Sequence, residues 1–146
     1  MNRKTSDVRK SLKMNNIQLT GKAENLMAPL ARVFIALIFV MSGLNKIANY
    51  NNVAGWMDAM GVPGTLLPLV IMLEVLGGIA IMIGYKTRIA ALLFAGFCLL
   101  SAVIFHSNFG DQNDMIHFMK NIAITGGFLI LVKHGAGSYA LDKSKS

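Results

Sequence analysis

Four apolar stretches, each about as long as a bilayer is thick, leave this chain few folds to choose from. They cover residues 26–47, 65–84, 89–105 and 115–132. A helix needs about 20 apolar residues to cross about 30 Å of hydrocarbon at 1.5 Å per residue, so each stretch reads as a transmembrane span. The expected fold class is therefore all-α, an integral membrane bundle of four transmembrane helices. Arg32, Glu74 and Lys120 lie inside three of the spans. A charge in hydrocarbon is expensive and needs a partner, so these three are functional candidates from the outset.

Composition supports a membrane protein: 54% of the 146 residues are hydrophobic, 14% are charged, and the mean hydropathy is +0.54. What lies outside the spans is too short and too polar for a second core. The expected organisation is a basic, disordered lead over residues 1–25, a transmembrane domain over 26–134, and a polar tail over 135–146. Cys98 is the single cysteine and falls mid-span, which excludes an intrachain disulfide and points to packing.

The net charge of +7 is not spread evenly. Arg3, Lys4, Arg9, Lys10, Lys13 and Lys22 precede the first span, Lys86 and Arg88 join the second to the third, and Lys133, Lys143 and Lys145 follow the fourth. The other two loops hold Asp58, Asp111 and Asp114. This alternation puts both termini in the cytoplasm under the positive-inside rule. The lead has no interleaved aromatics and no glycine-rich phosphate loop, so it reads as an orientation anchor touching anionic lipid and not as a nucleic-acid site. A cleaved signal peptide is not expected, because the polar lead and the apolar run are both too long and no small-x-small cleavage site follows. Being basic, hydroxyl-bearing and acid-poor, the lead shares a composition with organellar transit peptides.

Val53, Trp56, Met57 and Met60 recur at helical spacing before the stop at Gly61, Pro63 and Gly64, which predicts a short interfacial helix with Tyr50 and Trp56 at headgroup level. A surface connector is the simpler reading of it than a lid. The connection at residues 84–88 is tight and makes spans two and three an antiparallel hairpin. Glu74, Gly77, Gly78 and Ile81 share one stripe of span two, which turns the carboxylate toward protein. Arg32, Phe39, Gly43 and Lys46 share a stripe of span one, and Lys120 lies over Gly127 in span four.

Arg32 enters about six residues, roughly 9 Å, into span one, where its side chain either snorkels back or reaches toward Glu74. Lys46 and His106 end their spans on the outer side, and His117 shares a face with Lys120. The outer half of the bundle is thus expected to gather Lys46, His106, His117, Lys120, Asn121 and Glu74 around one polar cavity. Lys46 and Lys120, with Arg32 beyond them, exceed the single carboxylate, so neutrality calls for an anion, an acidic ligand or depressed lysine pKa values. A small anion, a quinone headgroup or a lipid phosphate suits such a cavity. A purely structural network of intramembrane ion pairs is the competing reading. Arg32, Lys46, Glu74, His106, Lys120 and Asn121 are the candidate ligand-binding or proton-carrying residues. No catalytic triad, zinc-ligand spacing, cysteine pair or facing mid-span histidine pair is present, so no catalytic residue, metal, flavin or haem is implied.

The run RVFIALIFVMSGLNKI from Arg32, the run EVLGGIAIMIGYKTR from Glu74, His106 at the end of span three, Lys120-Asn121 followed by Gly126-Gly127, and the ending Gly135-Ala136-Gly137-Ser138 before Leu141-Asp142 together resemble the DoxX family. The resemblance implies a small four-helix protein of the bacterial cytoplasmic (inner) membrane. It also implies a link to quinone- or sulfur-linked redox systems, in which some members partner soluble redox or thiol-handling enzymes. The reading that follows is an accessory membrane subunit of such a system, whose core binds a quinone or small sulfur-containing anion while a partner transfers electrons. It is closer to an oxidoreductase-associated subunit than to a stand-alone enzyme. A small-solute carrier or channel, which with four spans would need homo-oligomers, and a scaffold for partner proteins are the alternatives.

Overall fold

The computed structural model describes residues 21–142, so the expected basic lead lies outside the described residues up to position 20, as do residues 143–146 of the tail. Among the described residues every regular element is helical. Helix α1 (Gly21–Ala48) forms the first span and starts before the apolar run. Its Pro29 lies inside the helix, about two turns from the start, and gives up the backbone bond to the carbonyl of residue 25. Helix α2 (Tyr50–Ala59) is the short connector helix. The second span, Gly64–Ile83, is assembled from a 3-10 turn, helix α3 (Leu67–Met72), a π-helical turn (Leu73–Gly77) and helix α4 (Gly78–Ile83). Helices α5 (Thr87–Phe105) and α6 (Gln112–His134) are the third and fourth spans. All four are long and apolar enough to cross a membrane.

Because lipid offers no hydrophobic drive between helices, close packing decides which faces meet. Glu74, Gly78 and Ile81 are buried and Gly77 is partly so, which matches the stripe expected from spacing. On α1, Arg32, Ala36, Phe39 and Gly43 are buried. A Cβ at Gly43 would lie 2.6 Å from Val75 Cγ2 and 3.1 Å from Glu74 Cβ, so only glycine lets α1 approach the π-helical turn this closely. Phe39 is the hub of the core, with ring centroids 4.5 Å from Phe94 and 5.5 Å from Phe128, and those two rings stack at 5.0 Å. Phe34, Leu100 and Ile130, each more than 60% exposed, mark the faces turned to lipid.

Beyond α6 the chain does not trail away. Residues 135–142 fold as a strap across the same end of the bundle as the turn between α4 and α5. Leu141 N donates to Ile83 O (3.2 Å) and Asp142 N to Gly84 O (2.7 Å). Asp142 accepts from the backbone N–H groups of Lys86 (2.7 Å) and Thr87 (2.8 Å), capping the start of α5 from 55 residues away. Gly84 closes α4 with φ +72°, as a helix-ending glycine does, and a Cβ there would meet both Ala140 and, at 2.6 Å, Arg32 Nη1.

Candidate functional site

The opposite end of the bundle, beneath α2, holds a cavity of about 270 Å³ lined by residues of all four spans and of α2. Its polar floor is built from two elements. Ser42 and Lys46 lie one turn apart on α1, and Glu74 sits on the π-helical turn, a local widening that often marks functional positions. Lys46 Nζ lies 3.0 Å from Glu74 Oε1 and 2.9 Å from Oε2, and donates to Ser42 Oγ at 2.6 Å; Ser42 in turn donates to Oε1 at 3.2 Å. Glu74 is 2% exposed. Its Oε2 is buried and accepts no well-aligned hydrogen bond despite the nearness of Lys46.

The walls are apolar and aromatic. Phe39 and Ile38 come from α1, Phe97 and Phe105 from α5, and Ile124 from α6. Trp56 of α2 stacks on Phe105 with centroids 4.7 Å apart and planes at 27°. Helix α2 therefore covers the cavity, with Met57 buried beneath it, where the simpler expectation was a surface connector. At the mouth, His106 Nδ1 lies 3.4 Å from Asp114 Oδ1, and its ring stacks on His117 at 4.9 Å. Asn121 lines the cavity and donates from Nδ2 to His117 O on its own helix (3.1 Å).

Of the six candidate residues, four come together here: Lys46, Glu74, His106 and Asn121. Lys120 does not line the cavity and is exposed, as is His117. The face that α6 turns inward runs through Asp114, Phe118, Asn121, Thr125, Phe128 and Val132, a 3,4-alternating seam that Asn121 joins and Lys120 misses by the roughly 100° between neighbours on a helix. Arg32 is 1% exposed but lies 14 residues, roughly 21 Å along α1, from Lys46. It does not reach Glu74: Nη1 donates to Ala136 O (2.8 Å) and Nη2 to Tyr139 O (2.7 Å) of the strap. The cavity charges therefore pair one to one, and the expected positive excess is not found in it.

Ser42, Trp56 and Phe105 belong to the cavity although spacing did not single them out as ligand-binding. The signal for Ser42 was its place four residues before Lys46 on the same face.

The DoxX family model matches residues 27–107, covering the first three spans, α2 and the cavity residues they carry. The chain is 47% identical over 122 residues to the Escherichia coli (strain K12) "Inner membrane protein YqjF", an alignment covering 84% of this chain and 94% of that one. It is 34% identical over 130 residues to "Inner membrane protein YphA" of the same organism, with 84% and 93% covered. It is 31% identical over 75 residues to the Bacillus subtilis (strain 168) protein titled "Putative oxidoreductase CatD", which covers 51% of this chain and 55% of that one. No solved structure matches the chain. With more than half its length under the family model and two relatives aligned over most of theirs, the chain belongs to the DoxX family.

Proposed function

We propose that this protein is an accessory subunit of a redox system in the bacterial inner membrane, and that its cavity holds the headgroup of a quinone while a soluble partner enzyme handles the electrons. The observation that carries this reading is the Lys46–Glu74 pair, self-neutralised at the floor of an otherwise aromatic cavity. A cavity with an excess of positive charge suits an anion; one with paired charges suits a neutral ring that offers both acceptors and, when reduced, donors. Lys46 faces a quinone carbonyl as donor, and the under-used Glu74 Oε2 faces a quinol hydroxyl as acceptor. The quinone supplies two-electron chemistry when bound, and the protein positions the ring and excludes water. Similarity to a protein titled "Putative oxidoreductase CatD" supports the same reading. The charge alternation supports cytoplasmic termini under the positive-inside rule, and on that reading the cavity end of the bundle lies on the outer side.

Trp56 is the only tryptophan of the chain and stands in the cavity wall, so its fluorescence reports occupancy. Titration of a short-chain quinone into the purified protein is expected to quench Trp56 saturably, and the saturable component should disappear in Glu74→Gln. Purely linear, collisional quenching that is equal in both proteins would overturn the reading.

A further inference from the structure

The four spans are not equally joined. Helix α1 packs along the second span and α5 along α6, and the turn at Gly84 ties the two pairs together. Where α1 meets α6, the contacts lie toward the strap end. Ile35 fits against Gly127, where a Cβ would come within 2.8 Å of Ile35 Cδ1; Phe39 touches Phe128; and Arg32 grips the strap. Above Phe39, among the described residues, no hydrogen bond joins α1 to α6: Ser42 and Lys46 turn to Glu74, and Asn121 bonds within its own helix.

This seam runs beside the cavity. Ile38 is 55% exposed on the lipid-facing side of α1 and nevertheless lines the cavity, and Ile124 and Asn121 face it, half-buried, from α6. The volume sharpens the point. At about 270 Å³ the cavity is just below the range of about 300–1,000 Å³ that encloses a drug-sized ligand, so it takes a ring and little more. A ligand that reaches it from lipid must leave its chain outside.

We infer that the cavity is reached sideways from the bilayer through the seam between Ile38 and Ile124, and that its ligand is an amphipathic molecule with a neutral ring in the cavity and an alkyl or prenyl chain left in the membrane. This rests on the quinone reading above and specifies it: the seam selects for the tail, while the Lys46–Glu74 floor receives the head. His106, partly exposed at the end of α5, gives the cavity a polar edge, and a tail-less ring has no chain to leave in the seam.

The test compares a quinone carrying a prenyl chain with the same ring lacking it, both read by Trp56 quenching in liposomes. Ile38→Phe and Ile124→Phe narrow the seam, and Leu129→Phe on the lipid face of α6 is the control. The seam variants are expected to weaken or slow the tailed quinone at least tenfold more than the tail-less ring, whose own loss reads the change in the cavity wall that Ile38 and Ile124 also form, with the control unchanged for both; an equal change for the two ligands overturns the lateral route. If both ligands bind the seam variants as they bind wild type, the lateral route is overturned and the quinone site stands. If neither ligand quenches wild-type Trp56 saturably, both proposals fall. A photoreactive group on the chain of the tailed quinone avoids dependence on variant folding: labelling of peptides containing Ile38 and Ile124 supports the route, and labelling confined to α2 and His106 overturns it.

Discussion

Lys46 and Glu74 neutralise each other across two helices, with Nζ within 3.0 Å of both carboxylate oxygens, and among the described residues neither pairs with another charge. Removing one partner leaves the other as an uncompensated buried group, whereas removing both leaves none. Lys46→Met and Glu74→Leu are each expected to destabilise the detergent-solubilised protein by about 3 kcal/mol, toward the low end of the range for buried pairs because Lys46 stays partly open to the cavity. The double variant should recover most of that loss in thermal unfolding yet bind no quinone. If the double variant is as unstable as the sum of the singles, the pair is not the unit described here.

Gly43 links packing to the site, because it sets how near α1 comes to the turn that carries Glu74. A methyl group there must displace Val75 and the Glu74 Cβ. Gly43→Ala is expected to cost about 1–3 kcal/mol by overpacking and to weaken saturable Trp56 quenching along with it. Unchanged quenching with lowered stability would separate the helix contact from the site.

Arg32 holds the strap through two charged hydrogen bonds, each worth about 1.5–3 kcal/mol. Arg32→Lys keeps the charge but not the planar fork that reaches two carbonyls at once. The strap should then open: limited proteolysis is expected to cut near the exposed Tyr139 and Leu141 faster than in wild type, with the cavity end unaffected. Equal cleavage in both proteins would rule Arg32 out as the clasp.

At the same end, desolvation works against the Asp142 charge, but the hydrogen bonds from Thr87 and Lys86 and the nearby Arg32 guanidinium outweigh it and hold the carboxyl below the usual carboxylate range. A carboxyl whose pKa falls on folding adds stability above its unfolded value of about 3.9, and loses it as pH drops through the lower folded value. Acid should therefore loosen the strap, and Asp142→Asn should flatten that part of the stability–pH curve. At neutral pH, Asp142→Ala is expected to cost about 1 kcal/mol as a lost helix cap. An acid limb identical in wild type and Asp142→Asn would remove Asp142 from the account.

The spans, the connector helix, the hairpin and the inward stripe of Glu74 were legible because bilayer thickness and helical period act directly on the sequence. The membership of Lys46, Glu74, His106 and Asn121 in one cavity followed from depth and face together. Lys120 shows where this reasoning stops. One residue's rotation separates it from Asn121, and the seam that fixes the rotation is set by partner helices, not by α6 alone. Arg32 was recognised as a buried charge, but its acceptors are main-chain carbonyls of a loop, which carry no residue-specific signal. The π-helical turn that carries Glu74 likewise has no local signature in the sequence.

The grip of Arg32 on Ala136 and Tyr139 also has an order in time. Ribosomes deliver the first span early, and the carbonyls that complete its arginine lie 104 and 107 residues further along the chain. Until they emerge, the guanidinium waits in or near the membrane without the partners it finally takes. Closure of the first helix onto the strap thus belongs to the end of synthesis, and a polypeptide interrupted just after the fourth helix carries every span yet leaves Arg32 without its two carbonyl acceptors.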